Sequence, residues 1–166
     1  MQLTIFDDGF SYDGRTPNER ALGSAEKAVV GLSEAMAARG HDVVVVNQIT
    51  EILEINGVTW LPWDAPRPPS QDLVFAMRKP ILLEEAEAEK CLIWLWGGCK
   101  ALDNPPNRAF LEKYRPTLLY VSEAQRRGWR AWRAFPGLVI EPAIRHVFLE
   151  QEADNREPSP LAITTT

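Results

Sequence analysis

Gly23 and Ser24 stand at the start of a predicted helix, residues 24–39, in which apolar side chains recur at helical spacing. The free N–H groups at a helix start favour a bound anion, and glycine lets a phosphate approach the backbone closely. Gly23–Ser24 is therefore a candidate phosphate or carboxylate site. The alternative is a tight turn in which Ser24 caps the helix. Neither a P-loop nor the dinucleotide-binding glycine pattern is present.

Other residue types that do chemistry give weaker signals. Asp7–Asp8 would suit a metal ion, but no third ligand follows at a useful spacing, so a solvated loop is favoured. His41 and His146 are each isolated, which favours structural or solvent-exposed roles. Cys91 and Cys99 match no metal or redox spacing and predict two reduced thiols. We therefore predict no metal site, and no catalytic residue can be assigned.

A basic, aromatic stretch lies late in the chain. Arg126, Arg127, Trp129 and Arg130 combine side chains that suit a phosphate, a lipid headgroup or a membrane surface. The alternative is a helix over residues 123–133 whose tryptophans pack inward and whose arginines are solvated. The first interpretation would make the protein a peripheral membrane protein.

Strands alternate with helices along the chain. Residues Asp42–Asn47 include four consecutive valines, typical of a parallel strand that is buried on both faces, and Asn56–Gly57 predicts a two-residue hairpin. The pattern predicts an α/β fold, a Rossmann-like doubly wound and mostly parallel sheet with helices on both faces. The other predicted strands are 3–6, 51–55, 58–61, 73–76, 91–96, 117–121 and 138–140, and the other predicted helices lie near 81–89, 106–114 and 123–133.

Three loops should meet at one edge of this sheet. In an open α/β sheet, ligands bind beyond the carboxyl ends of the strands, near the switch in strand order. Residues 7–23, 77–79 and 96–98 all follow predicted strands. We expect them to converge there, beside the start of the 24–39 helix.

Bulk properties narrow the function classes. The 166 residues carry a net charge of −5, which argues against a general nucleic-acid binder. The first residues, MQLTIF, lack the features of a signal peptide, and no apolar run approaches the roughly 18 residues of a membrane span. These features predict a cytoplasmic protein.

The first helix carries a family resemblance. The segment "ALGSAEKAVVGLSEAMAARGHDVVVVN" resembles the N-terminal domain of GT-B glycosyltransferases of the group 1, family 4-like type, which has a small-residue loop, this helix and a valine-rich strand. Later segments are similar to further parts of that domain, so that the resemblance covers about residues 1–150. They are "INGVTWLPW", "LLYVSEAQRRGW" and "GLVIEPAIRHVF".

The resemblance implies a retaining, metal-independent transferase of two Rossmann-like halves, which uses a nucleotide-sugar donor and needs no cofactor. The N-terminal half shapes the site for a glycan or lipid-linked acceptor. By the same resemblance, Gly23 and Ser24 would lie near the donor diphosphate. Arg15 and Arg78 would contact charged acceptor or phosphate groups, since guanidinium suits bidentate recognition of oxygen. Trp96–Gly97 would border the acceptor.

Two positions depart from the family pattern. Trp96 and Gly97 stand where many relatives carry a histidine, and Pro142–Ala143 replace an asparagine–glycine pair. An indole cannot do the proton-transfer work of an imidazole. These departures imply an unusual donor or acceptor, or weak activity.

Residues 1–150 are expected to form the N-terminal glycosyltransferase domain, and residues 151–166 an acidic, proline-containing linker and an orphan strand leading to a missing donor-binding domain. The leading hypothesis is a glycosyltransferase of the hexosyltransferase type whose 166 residues are inactive alone. The alternative is a stand-alone module that binds a glycan, a nucleotide or a protein without chemistry. A weaker third option is another nucleotide-binding enzyme on the same fold.

Overall fold

A computed structural model describes residues 1–129 and 134–142, in which strands and helices alternate along the chain. The strands are Gln2–Phe6 (β1), Asp42–Asn47 (β2), Leu53–Ile55 (β3), Val58–Pro62 (β4), Gln71–Met77 (β5), Ala88–Leu95 (β6), Thr117–Tyr120 (β7) and Gly137–Val139 (β8). The α-helices are Thr16–Glu19 (α1), Ser24–Ala37 (α2), Pro105–Tyr114 (α3) and Glu123–Gly128 (α4), and 3-10 turns cover Pro80–Glu85 and Cys99–Leu102.

The eight strands form one sheet in the order β3-β4-β2-β1-β5-β6-β7-β8. Only the β3–β4 hairpin is antiparallel; the other neighbouring pairs are parallel. The predicted Rossmann-like α/β fold is therefore confirmed. The chain builds one half of the sheet outward from β1 through β2 and then returns to add β5 on the other side of β1. This reversal creates a crevice between the carboxyl ends of β1 and β5.

Strand β2 shows why the sheet is covered on both faces. Val43 and Val45 belong to one apolar cluster, together with Val29 of α2, whereas Val44 and Val46 belong to a second cluster on the opposite face. All four valines are buried. Because side chains alternate between the faces of a strand, four consecutive valines need an apolar layer on each side. The prediction of a strand buried on both faces is confirmed.

Several predicted elements differ from the structure. The expected loop 7–23 contains the short helix Thr16–Glu19. The helix expected near 81–89 is only the 3-10 turn Pro80–Glu85, and β6 already starts at Ala88, because Gln71 of β5 accepts a hydrogen bond from the Glu87 N–H at 3.0 Å and aligns the strands. The helix expected over 123–133 ends at Gly128, and Trp129 is extended. Gly23, rather than Ser24, is the N-cap of α2.

Several predictions lie outside the described residues. They concern Arg130, His146, Ala143 and the linker and orphan strand over residues 151–166. Within the described ranges, none of the helices combines the length and the apolar character needed to cross a membrane.

The hairpin turn offers a test of the backbone geometry. Asn56 and Gly57 both have positive φ, 54° and 75°, as a type I′ turn requires. We expect Gly57→Ala to lower the free energy of unfolding by about 1–2 kcal/mol, because an L-residue is strained in this conformation. Gly31→Ala is the matched control: Gly31 lies within α2, and a Cβ there meets nothing within 4 Å. It should raise stability by roughly 0.5–1 kcal/mol. Urea unfolding measures both, and changes of the same sign would contradict this assignment.

Candidate functional site

The crevice where the strand order reverses holds a cluster of charged side chains. Asp7 directly follows β1, Arg78 directly follows β5, and Glu26 lies in the first turn of α2. The predicted convergence of residues 7–23 and 77–79 is therefore observed. We call Asp7, Glu26 and Arg78 the crevice triad.

Arg78 joins the triad. Its Nη1 donates to Glu26 Oε1 at 3.0 Å and its Nη2 donates to Asp7 Oδ1 at 2.5 Å. Its backbone is left-handed, with φ 67°, and its N–H donates to the Trp94 carbonyl at 2.9 Å. The side chain is 29% exposed. One guanidinium thus ties the ends of two parallel strands to the start of a helix.

Asp7 is the fully buried member of the triad. Besides Arg78, its carboxylate accepts from the Gly9 N–H at 3.0 Å and the Tyr12 hydroxyl at 2.8 Å. Burial raises the pKa of Tyr12 well above its ordinary value, and the neighbouring Asp7 charge raises it further. Asn47 at the end of β2 donates to the Tyr12 carbonyl at 2.7 Å. These bonds anchor the first part of the 7–23 loop.

The charges of the triad do not cancel. Burial of Arg78 disfavours its charged form, but hydrogen bonds and charge attraction from Glu26 and Asp7 outweigh this, so that the pKa of Arg78 is raised. Two ionised carboxylates against one guanidinium leave a formal charge of −1. The adjacent Lys79–Asp8 pair, at 2.6 Å, is neutral as a whole. A phosphate in this part of the crevice would have to compete with the Glu26 carboxylate for Arg78 and for the start of α2.

Gly23 and Ser24 are exposed at the rim of the crevice, as a ligand contact would require. However, the carboxylate of Glu26 folds back over the helix start, and a Cβ at Gly23 would overlap Glu26 Oε2. The chain's own anion thus takes the place beside Gly23. The sequence contained no capping-box signal for this arrangement, because the N-cap is glycine rather than serine or threonine.

Arg15 forms no hydrogen bond with the triad in the described part of the chain. It is the N-cap of α1, its Nη2 contacts Asp13 Oδ2 at 2.6 Å, and its side chain is 54% exposed. Burial works against ionisation of Asp13, but the bonds from Arg15 and Thr16 prevail and its pKa is lowered. Arg15 therefore stabilises its own loop in this structure, and a ligand would have to compete with Asp13 for it.

Trp96 and Gly97 follow β6, the neighbour of β5, so they lie at the same edge of the sheet. The Trp96 ring packs against Trp94 with the centroids 5.7 Å apart. Gly97 has a φ of 87°, and its carbonyl accepts from Gln125 Nε2 at 2.9 Å. These contacts tie the third loop to α4, and the Arg78–Trp94 backbone bond joins the end of β5 to β6.

In the described part of the basic, aromatic stretch, the tryptophan packs inward and the arginines are solvated, but Trp129 lies beyond the end of α4 rather than on a helix. Trp129 is only 8% exposed and belongs to an apolar cluster. Arg126 and Arg127 are exposed and both pair with Glu123, at 3.1 and 3.7 Å. Trp129 could not enter a membrane surface without leaving the core.

A metal site finds no support among the described residues, where no group of three histidine, cysteine or acidic side chains could hold an ion. The Asp7 and Asp8 carboxylates are instead paired with Arg78 and Lys79. Comparison with known proteins assigns no function to this site, since no family model, curated protein or solved structure matches the chain.

The triad predicts that substitutions of two adjacent cationic residues will have unequal effects on the stability of the fold. We expect Arg78→Met to lower the free energy of unfolding by about 3–5 kcal/mol, because the buried Asp7 charge loses its partner. Lys79→Met is the control, since the Lys79 side chain is 56% exposed and its pair with Asp8 should contribute less than about 1 kcal/mol. Chemical denaturation measures both; equal effects would show that Asp7 does not need Arg78.

Tyr12 predicts a dependence on alkaline pH. Near neutral pH, Tyr12→Phe should lower the free energy of unfolding by about 1–3 kcal/mol, because Asp7 loses a buried donor. The ordinary tyrosine pKa is 10.0 and the folded value is higher, so the tyrosine stabilises the fold fully below pH 10.0. Above it, the unfolded chain ionises first, and the advantage of wild type over Tyr12→Phe should fall by about 1.4 kcal/mol per pH unit. An advantage that stays constant up to about pH 11 would contradict the raised pKa.

Proposed function

We propose that this chain is the acceptor-side domain of a retaining, metal-independent glycosyltransferase of the GT-B type, which takes a sugar from a nucleotide-sugar donor. The observation that carries the proposal is the position of the family-like helix start. Gly23 and Glu26 of that segment lie at the strand-order reversal, opposite Arg78. This crevice is where open α/β sheets bind their ligands.

The triad bears on which ligand groups the crevice accepts. Carboxylate oxygens accept hydrogen bonds, and the 29% exposed guanidinium of Arg78 donates them. A sugar ring offers hydroxyl groups that do both. The formal charge of −1 disfavours a phosphate beside the triad, which restricts Gly23 and Ser24 to contacts at the rim. On this proposal, the donor phosphates are bound mainly by the second domain, and the triad faces the acceptor hydroxyls.

The proposed location is the cytoplasm, with a glycan or lipid-linked acceptor. Cys91 and Cys99 are both free, in keeping with reduced thiols. Burial raises the pKa of each thiol, so neither is an activated nucleophile. Contact with the inner face of a membrane through Arg126 and Arg127 is compatible with their exposure, although both are paired with Glu123.

One observation favours a second candidate, a non-catalytic binding module on the same fold. The Glu26 carboxylate fills the space beside Gly23 that the donor phosphate would approach. In the same structure, Trp96–Gly97 occupy the loop in which relatives carry a histidine. A module of this kind would bind a glycan or a partner protein without transferring a sugar.

The two candidate functions predict different activities for the protein encoded by the complete reading frame. The experiment expresses that frame and, separately, residues 1–166, and incubates each with labelled nucleotide sugars and extracted lipid and glycan acceptors. The proposal expects donor consumption by the complete frame and none by residues 1–166 alone. Turnover by residues 1–166 would contradict the division of labour between two domains. A complete frame that consumes no nucleotide sugar would favour the binding module.

A further inference from the structure

A separate cavity lies at the carboxyl ends of β6 and β7. It has a volume of about 300 Å³ and lies between the loop Gly97–Lys100 and the last turn of α4. That volume is at the lower end of the roughly 300–1,000 Å³ typical of small-molecule sites. The cavity therefore suits one ring rather than a whole nucleotide sugar.

The walls of the cavity expose the backbone of three glycines, and hydrogen bonds of Gln125 hold these walls in place. A Cβ at Gly97, Gly98 or Gly128 would meet nothing within 4 Å, so space opens at all three glycines. Gln125 fixes the loop to the helix: its Nε2 donates to the Leu95 carbonyl at 3.2 Å and to the Gly97 carbonyl at 2.9 Å. Its Oε1 accepts from the Val121 N–H at 2.8 Å. The cavity is thus largely pre-formed.

Trp129 supplies an apolar wall. The side chain is 8% exposed and lines the cavity. Its indole Nε1–H is buried without a hydrogen-bond partner among the described residues, as are those of four other tryptophans, so the N–H does not distinguish this site. The flat apolar face of an indole suits the apolar C–H face of a sugar ring.

Lys100 gives the cavity its charge. It is exposed, lines the cavity and takes part in none of the ion pairs among the described residues. The nearest acidic residue in sequence, Asp103, is paired with Arg108 at 2.6 Å. Cys99 is the other group there that can ionise, and burial raises the pKa of its thiol. An ammonium group that is paired with no carboxylate of the described residues favours an anionic ligand.

We propose that this cavity binds a single sugar ring that carries one anionic substituent, a carboxylate or a phosphate, with Lys100 as its counter-ion. The ring packs on Trp129, and the glycine backbone lies close to its hydroxyl groups. If the bound sugar is the acceptor of the transferase, the inference rests on the proposed function. The existence of the binding site does not depend on that function. Its positive charge complements the negative triad, which repels anions at the neighbouring strand ends.

Binding of three sugars to residues 1–166 tests the proposal. The probes are D-glucuronate, D-glucose 6-phosphate and neutral D-glucose, titrated by NMR or calorimetry at constant ionic strength. We expect at least one anionic probe to bind more tightly than glucose. Lys100→Gln should weaken that binding roughly tenfold, as expected for loss of a charge-assisted hydrogen bond. Lys90→Gln, at the opposite end of β6, is the matched control and should change nothing.

A second variant blocks the space itself. Gly98 has φ −78° and ψ 117°, which any residue adopts, so Gly98→Leu should fold normally and fill the open space. It should abolish binding of every probe. The proposal is overturned if neither anionic probe binds at about 10 mM, if glucose binds as tightly as they do, or if Lys100→Gln and Lys90→Gln have equal effects.

The outcomes separate this inference from the proposed function. Anionic sugars that bind here, with no sugar transfer by the complete reading frame, would remove the transferase and keep the site. Transfer to neutral acceptors, with no binding of either anionic probe, would remove the site and keep the transferase.

Discussion

The bond network of Arg78 is the constraint on which the crevice depends. Asp7 directly follows β1 and is not exposed to solvent, and a buried carboxylate is costly unless a cation and hydrogen-bond donors surround it. Arg78 supplies the cation from β5, in a left-handed backbone conformation that costs of order 1–3 kcal/mol and is retained because the surrounding structure requires it. Glu26 completes the triad. The switch point of the sheet is therefore held by charges as well as by the apolar packing of Phe6 and Met77.

This arrangement has a consequence for ligands. The start of α2 carries the positive end of a helix dipole, which would ordinarily attract an external anion. The Glu26 carboxylate, which belongs to the chain itself, lies at this helix start. Gly23 allows this position because it has no Cβ that would overlap the carboxylate. Lys100, beside the cavity next to α4, is a positive charge that forms no ion pair with any of the described residues. The edge of the sheet thus carries a net negative cluster at the triad and an exposed cation, Lys100, near α4.

The fold was largely predictable because it follows from local patterns. Val43–Val46 required a strand covered on both faces, and Asn56–Gly57 required a hairpin turn, as observed. The acidic run near residue 85 was mistaken for a helix because its pairing with β5 is decided by Gln71, sixteen residues away from Glu87. Such a distant bond has no local signature.

The site was less predictable. Strand order alone placed the loops of Asp7 and Arg78 at one edge, but their pairing spans 71 residues and depends on side-chain reach. Arg15 satisfies its charge two residues away, on Asp13, so its residue type carried no information about its partner. Glu26 was not predicted as a site residue, because the sequence showed it only as one position of the family-like helix segment.

A double-mutant cycle between Arg78 and Glu26 tests the central claim most directly. The cycle compares unfolding free energies of wild type, Arg78→Met, Glu26→Gln and the double variant. If one guanidinium joins the helix start to the strand ends, the two substitutions will be non-additive, with an interaction energy of about 1–3 kcal/mol. Additivity within about 0.5 kcal/mol would contradict it, because the helix start and the strand ends would then be independent.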